Sequence, residues 1–446
     1  MPDEAVEKAY AAVQKALELS QNATDRERAY IAALAKRYSE KPVEDRAALD
    51  LAYANAMREL AQSYPDDLEA ATLLAESLMD TTPWDYWQTD GTPKPVTEEI
   101  LATLESVLRR DANHPGANHF YIHAVEAKHP QRGIAAADRL RDLVPGAGHL
   151  VHMPSHIYIR VGRYHDGSVA NEKAIAADDD YVTQCHAQGL YPLAYMAHNH
   201  HFLWATTTFE GRSHDAIHAA QHIASHVDQQ TMREPEFLTL QHYWVTPLYA
   251  WVRFGKWDQI LAEPRPAADL RYPLGAWHYA RGIAMCRKGR LDEAQQELEH
   301  LAQIAADPKL KEVTVWNVND TQHLLQIAEQ VLAGELAAAN GKFATAIDHL
   351  REAVHLEDSL RYDEPSTWHH PVRQILGAVL LNAGRPAEAE VVYRQDLEKY
   401  PENGWSLFGL HQSLDRQGRT EAAQQVRKQF ESAWRNADVA LKASRH

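Results

Sequence analysis

Apolar residues recur three and four positions apart along most of the chain. Leu291, Ala294, Leu298 and Leu301 are one such set, and that spacing places them on one face of a helix. The same pattern predicts helix through 29–64 and 68–79, and strict apolar–polar alternation is nearly absent, so the expected fold is all-α. Short turns punctuate the pattern at Gly162, Gly211, Gly255, Gly289, Gly341, Gly384 and Gly418, each followed by Arg or Lys. Glycine supplies the backbone freedom to leave a helix. Five residues after each comes a mostly small residue: Gly167, Ala216, Ile260, Ala294, Ala346, Ala389 and Ala423. Small side chains there let the next helix pack closely.

Gly255 to Gly289 and Gly384 to Gly418 are each 34 residues, the tetratricopeptide period of paired antiparallel helices. The expected architecture is therefore a tetratricopeptide-like α-solenoid, a right-handed superhelix of helical hairpins. We divide it into N-terminal repeats (1–110), a histidine-rich section (111–230) and C-terminal repeats (231–446), all in one continuous solenoid. The best-formed repeats fall within 277–430. A proline- and tryptophan-rich stretch, 81–95, cannot be helix interior. It is expected to be an inter-helix loop with aromatic anchors, in preference to a lid or pocket wall.

Charge narrows the partners. With 45 basic and 62 acidic residues among 446, the net charge is −17, which disfavours nucleic acid. No run of apolar residues is long enough to span a bilayer, so no membrane partner is expected. The first residues lack the basic and apolar regions of a secretory signal, although a signal removed ahead of residue 1 is compatible with this. Cys185 and Cys286 are read as free structural thiols, which places the chain in the cytoplasm. Oligomeric state is left open.

Histidine changes the picture. There are 26, of which 17 lie between His114 and His242. His119 and His123 stand four apart, as do His152 and His156, while His198, His200 and His201 cluster ahead of Trp204. Side chains three or four apart on a helix share a face, the spacing that helical metal sites use. Each segment precedes a turn (residues 131–133, Gly162 and Gly211), so all three belong to first helices of consecutive repeats. First helices line the concave groove of such a superhelix. Convergence of His119, His123, His152, His156, His198 and His201 on one wall is therefore expected. The run His214, His218, His222 and His226 follows the Gly211 turn and is expected on the solvated outer side.

These ligand types suit copper first, with iron or zinc as alternatives. Two sets of three histidines match the ligand spacing of a coupled dicopper site, and one metal held by three histidines fits equally. Glu126, in register with His123, is the nearby carboxylate and the candidate base. Tyr121, Tyr158, Tyr195 and Trp204 run beside the histidines, either as packing aromatics or as contacts to substrate. His242, His278 and the Trp368–His369–His370–Pro371 segment, flanked by Glu364 and Arg373, are expected on other first helices as further substrate-side residues. No phosphate-binding loop, nucleophile elbow or HExxH motif occurs.

The stretches NHPGANHFYIHAVEAKHPQR, PGAGHLVHMPSHIYIRVGRY, YPLAYMAHNHHFLW and PENGWSLFGLHQSL resemble a family of bacterial tetratricopeptide-repeat proteins, mostly without an assigned activity. The resemblance covers 24–429. It implies the fold and matches His119, His123, His152, His156, His198 and His201 to the family's motifs, with His200, His369 and His370 outside them. Family members usually carry one more helical repeat at the N-terminus.

Three functions follow as expectations. The first is a copper or non-haem iron oxidoreductase acting on a small molecule or peptide in the groove. The second is a scaffold that binds a peptide or protein without catalysis. The third is a zinc-dependent hydrolase with Glu126 as base. On the outer side, changing His214, His218, His222 and His226 together to glutamine should leave folding and any metal content unchanged. Solvated substitutions of this kind shift stability by about 0.5 kcal/mol or less, measurable by thermal melting and elemental analysis.

Overall fold

A computed structural model describes residues 3–185 and 196–446. Side chains are described for 5–181 and 196–446, so the side chain of Cys185 and all of Tyr195 lie outside the described residues. Cys286 is a free, buried thiol. The chain forms two compact units, 1–145 and 146–446.

The first unit is built of α1 (Asp3–Leu19), α2 (Asp25–Leu34), α3 (Ala47–Ser63), α4 (Leu68–Asp80), α5 (Pro95–Arg110), α6 (Pro115–Val125) and α7 (Pro130–Leu140). Local chemistry sets the helix starts. Thr24 and Glu27 close a capping box on α2, and Asp67 accepts from the backbone N–H groups of Glu69 and Ala70 on α4. The helix predicted over 29–64 is in fact broken. It stops at Leu34 and resumes at Ala47, because the polar, Pro42-containing stretch between offers no apolar face. A second correction concerns the turn predicted at 131–133. Pro130 opens α7 there, so the turn falls earlier and Gly133 is a buried helix residue. The 81–94 segment is a loop tied down by Trp87, whose indole N–H donates to the Ala124 carbonyl at 2.8 Å.

The second unit is a stack of antiparallel helix pairs. They are α9 (Pro154–Arg160) with α10 (Tyr164–Cys185), α11 (Ala197–Glu210) with α12 (Ser213–Ser225), α13 (Leu240–Arg253) with α14 (Trp257–Ala262), α15 (Arg271–Arg287) with α16 (Leu291–Ala305), α17 (Thr321–Ala339) with α18 (Phe343–Ser359), α19 (Val372–Asn382) with α20 (Pro386–Lys399), and α21 (Gly404–Arg416) with α22 (Thr420–Ala433). A short α8 (Gly148–His152) precedes α9. The one described strand pair, β1 (Thr314–Val315) with β2 (Asn319–Asp320), is two residues long on each side. This is an all-α, tetratricopeptide-like solenoid of helical hairpins. No described helix is long and apolar enough to cross a membrane.

All seven predicted turns close in the same way. Each glycine has φ between 66° and 80°. The residue after it donates its N–H to the carbonyl five positions back, from Arg163 to Tyr158 (2.8 Å) through to Arg419 to Leu414 (3.0 Å). That is the Schellman closure, and only glycine enters the left-handed region without a Cβ penalty. The residues five positions later are all buried, from Gly167 to Ala423. One helical expectation fails here. Residues 368–371 lie outside any helix, in the loop ahead of α19, where Pro365 and Pro371 bar a helical ladder.

The turns differ in what surrounds them. A Cβ at Gly211 would strike the Trp434 ring, whereas at Gly289 it would meet nothing within 4 Å. Gly289→Ala should therefore cost only the left-handed penalty, about 1–2 kcal/mol, and Gly211→Ala about 1–3 kcal/mol more, as read by urea denaturation.

Candidate metal centre and the adjoining cavity

The second unit gathers three histidines from three helices. His152 ends α8, His156 lies in the first turn of α9 after the Met153–Pro154 break, and His198 opens α11. Each brings a ring nitrogen to within 4.8 Å of the others. His152 is wholly buried and His156 nearly so. Phe202, one turn along α11, backs all three rings with centroid separations of 4.6–4.9 Å.

The outer nitrogens of His152 and His156 face oxygen atoms. Asn171 donates its amide N–H to the Gly167 carbonyl at 2.7 Å, which turns its Oδ1 toward His152 Nδ1, also at 2.7 Å. Ser155 Oγ lies 3.2 Å from the same nitrogen. His156 Nδ1 lies 3.0 Å from Glu364 Oε2, on a carboxylate whose side chain is almost fully buried. Asn171 Oδ1 favours a proton on His152 Nδ1, which leaves a lone pair on His152 Nε2. The Nε2 atoms of His152 and His156 stand 3.0 Å apart. Burial, and then repulsion from His156 and His198, holds His152 well below the usual imidazole range. At 3.0 Å one ring donates its Nε2–H to the other, the direction depending on tautomer.

The other predicted residues belong to α6 of the first unit or to further helices of the second. His119 and His123 lie on α6 in the first unit, with ring centroids 4.9 Å apart. His123 meets the Trp84 ring at 5.1 Å and Glu126 Oε1 at 3.4 Å. Tyr121, in that unit, donates its hydroxyl to Glu105 at 2.9 Å. His201 points away from its neighbour His198. It stacks on Trp204 (5.1 Å) and meets Tyr243 and His242, and neither of its ring nitrogens has a hydrogen-bond partner. Although it is only three residues beyond His198 on α11, it packs into the core against Trp204 and Tyr243. His242 sits 2.8 Å from the Tyr272 hydroxyl, and burial pushes its pKa down to about 4. Tyr158 is fully buried beneath Arg163. His278 is bound between α15 and α16 by Glu297, a carboxylate that Arg281 also holds at 3.0 Å. His300 completes a metal-sized group with them, but Arg281 already supplies the cation there. Of the outer run, His214, His218 and His226 are exposed, while His222 is half-buried against His200 at 3.8 Å.

Beside the three histidines lies a cavity of about 110 Å³. It is bounded by α11, by the end of α9, and by the loop between α18 and α19. Glu364 and Arg160 line it, and their side chains approach to 3.6 Å, so one carboxylate faces both the cavity and His156. Trp204 and His369 also line it. Burial, and then Arg253, holds His369 well below the usual range. Two further carboxylates in the wall are pushed up by burial, Glu357 to about 7 and Asp363 to about 6.

Sequence reasoning found the histidines but not Asn171, Phe202 or the role of Glu364. Helical register carried the first set. Asn171 and Phe202 each share a hairpin or helix with a histidine, yet nothing in their spacing marks them out. Glu364 is 208 positions from His156, a separation no local pattern bridges.

The chain matches no protein-family model and no curated protein. Among solved structures it is similar to the human IFIT1 dimer with m7Gppp-AAAA, at 13% identity over 96% of this chain and 86% of that one, with a TM-score of 0.37. It is also similar to Naa15/Naa10 bound to HypK-THB, at 12% identity and a TM-score of 0.34. That match covers 95% of this chain and spans 63% of the other chain's length. The APC/C hetero-tetramer Cut9-Hcn1 gives 9% identity, coverage of 96% and 97%, and a TM-score of 0.30. None of these likenesses assigns a role to any residue of the centre.

Glu357 supplies a test of the cavity wall. Its carboxylate accepts the Val372 N–H at 2.9 Å, and burial favours its protonated form. With the folded pKa above that of the unfolded chain, its stabilisation is complete below about pH 4 and is lost as pH rises through 7. Glu357→Gln keeps the acceptor and removes the titration. In denaturant titrations at pH 5 and pH 8, the wild type should lose on the order of 2 kcal/mol more than this variant.

Proposed function

We propose that the second unit is a metal-dependent enzyme, with one transition-metal ion held by His152, His156 and His198. The observation that carries this reading is the pair of buried Nε2 atoms 3.0 Å apart, with their Nδ1 positions turned to Asn171 and Glu364. Metal-binding histidines characteristically give their second nitrogen to a carboxylate or carbonyl oxygen, which fixes tautomer and orientation. Three neutral imidazoles leave the ion's charge uncompensated, so a bound water or substrate oxygen would be strongly polarised. Glu364, facing both His156 and the cavity, takes the proton-accepting role first given to Glu126.

Copper, iron and zinc each accept such a set. Copper or iron makes the protein an oxidoreductase, and zinc makes it a hydrolase. Within the second unit His201 lies with Trp204 and His242, so this unit by itself is expected to hold one metal. The substrate is a small molecule or peptide, and the negative net charge argues against a phosphate backbone. The chain's sparing use of cysteine suits a reducing compartment, and we place its action in the cytoplasm.

Elemental analysis of protein purified without a histidine tag should find about one copper, iron or zinc per chain. Chelation should lower the melting temperature, since a ligand at 100 times its Kd adds about 2.7 kcal/mol. His156→Ala should abolish both effects, Asn171→Ala should weaken metal binding about 10–100-fold, and His278→Ala should spare it. Identical melting curves with and without chelator, and no bound transition metal, would reject the enzyme and leave the partner-binding scaffold.

A further inference from the structure

A separate groove of about 270 Å³ lies over α13 in the second unit. Trp244, Pro247 and Trp251 stand three and four positions apart on that helix, so they share the face that lines it. The short α14 leaves this face open. It has 6 residues, against 13 in α12 and 15 in α16, the second helices on either side. Beyond it the chain turns into a loop that brings Pro264 and Pro266 to the groove. That loop is tied to α15, because the Trp277 indole N–H donates to the Glu263 carbonyl at 3.0 Å. Trp251 and Trp277 are 9% and 8% exposed and Trp244 is half-buried, so each of the three lining rings keeps accessible surface.

Of the lining residues only Glu263 is ionisable. Its carboxylate is half-buried and forms no ion pair among the described residues, and burial raises its pKa. Arg265, in the same loop, is exposed and does not line the groove. Arg281 lies over the Trp277 ring at 4.4 Å from outside the lining, and Glu297 holds it at 3.0 Å. That contact shows this indole taking a cation on its face. Three indoles and one unpaired carboxylate together favour a positively charged guest. Tryptophan, proline and leucine side chains offer no hydrogen-bond acceptor, so a primary ammonium would leave N–H groups unmet against most of this wall. N-methyl groups need no acceptor and bury apolar surface. Size agrees, since an apolar cavity of about 150 Å³ already takes benzene. A phosphorylated head would set its phosphate against Glu263 and a net charge of −17. We infer that this groove binds a free methylated ammonium compound of about the size of choline, its head among the three tryptophans and its charge beside Glu263. The site uses no metal and none of the histidines of the proposed centre.

The test is calorimetric titration of the full-length chain, with chelator present so that metal plays no part. The probes are choline, phosphocholine, a trimethyllysine peptide and the uncharged tert-butyl analogue of choline. Choline should give a saturable heat at millimolar concentration or below, and the uncharged analogue should bind at least about tenfold more weakly. Phosphocholine and the peptide should bind no more tightly than choline. Glu263→Gln keeps the size and removes the charge. It should weaken choline about tenfold while leaving the uncharged analogue unchanged, whereas damage to the groove would weaken both. Trp244→Leu should also weaken choline about tenfold, and it serves if the first variant fails to fold. Four results would each overturn the inference: no saturable heat with choline at millimolar concentration, the uncharged analogue binding as tightly as choline, phosphocholine or the peptide binding more tightly, or both variants binding choline like wild type.

Discussion

A left-handed glycine at the end of each first helix is the constraint on which the second unit depends. At φ near +70° the chain reverses within three residues, and the following N–H returns to the carbonyl five positions back. The second helix then starts in contact with the first, so a small residue is needed five positions on. Ala216, Ala294, Ala346 and Ala389 are buried there with no exposed surface. Seven repetitions of one local geometry place first helices beside first helices. Everything chemical in the unit follows from that adjacency.

His152, His156 and His198 occupy positions on α8, α9 and α11, where Phe202 closes the apolar side and Asn171, from α10, closes the polar side. Between His152 and His156 lies the break at Met153–Pro154. Met153 keeps helical dihedrals across it, and the Nε2 atoms of the two rings, four residues apart, meet at 3.0 Å. Burial then holds His152 in its neutral form. Around His201, His242 and His369 the same burial produces neutral rings packed against tyrosine and tryptophan, with no common point among their nitrogens.

The sequence by itself determined the hairpins. Glycine turns, small residues five positions later and apolar spacing are local signals, and each stands for a backbone angle or a contact distance that few residues satisfy. It also determined which helices carry the histidines, because register on a helix is fixed by the 3.6-residue turn. Its errors came where local signals are weak. One is the polar break between Leu34 and Ala47. Another is the proline-flanked 368–371 segment, and a third is the turn that Pro130 moves ahead of Gly133. Tertiary structure alone decided which histidines face one another. His198 and His201 are three residues apart and share a helix, yet one joins His152 and the other joins His242. It alone brought Glu364 across 208 positions to His156 and built the cavity from helices and a loop far apart in sequence. The reason is physical: periodicity fixes the direction of a side chain relative to its own helix axis, whereas the partner it meets depends on how helices far apart in sequence are packed.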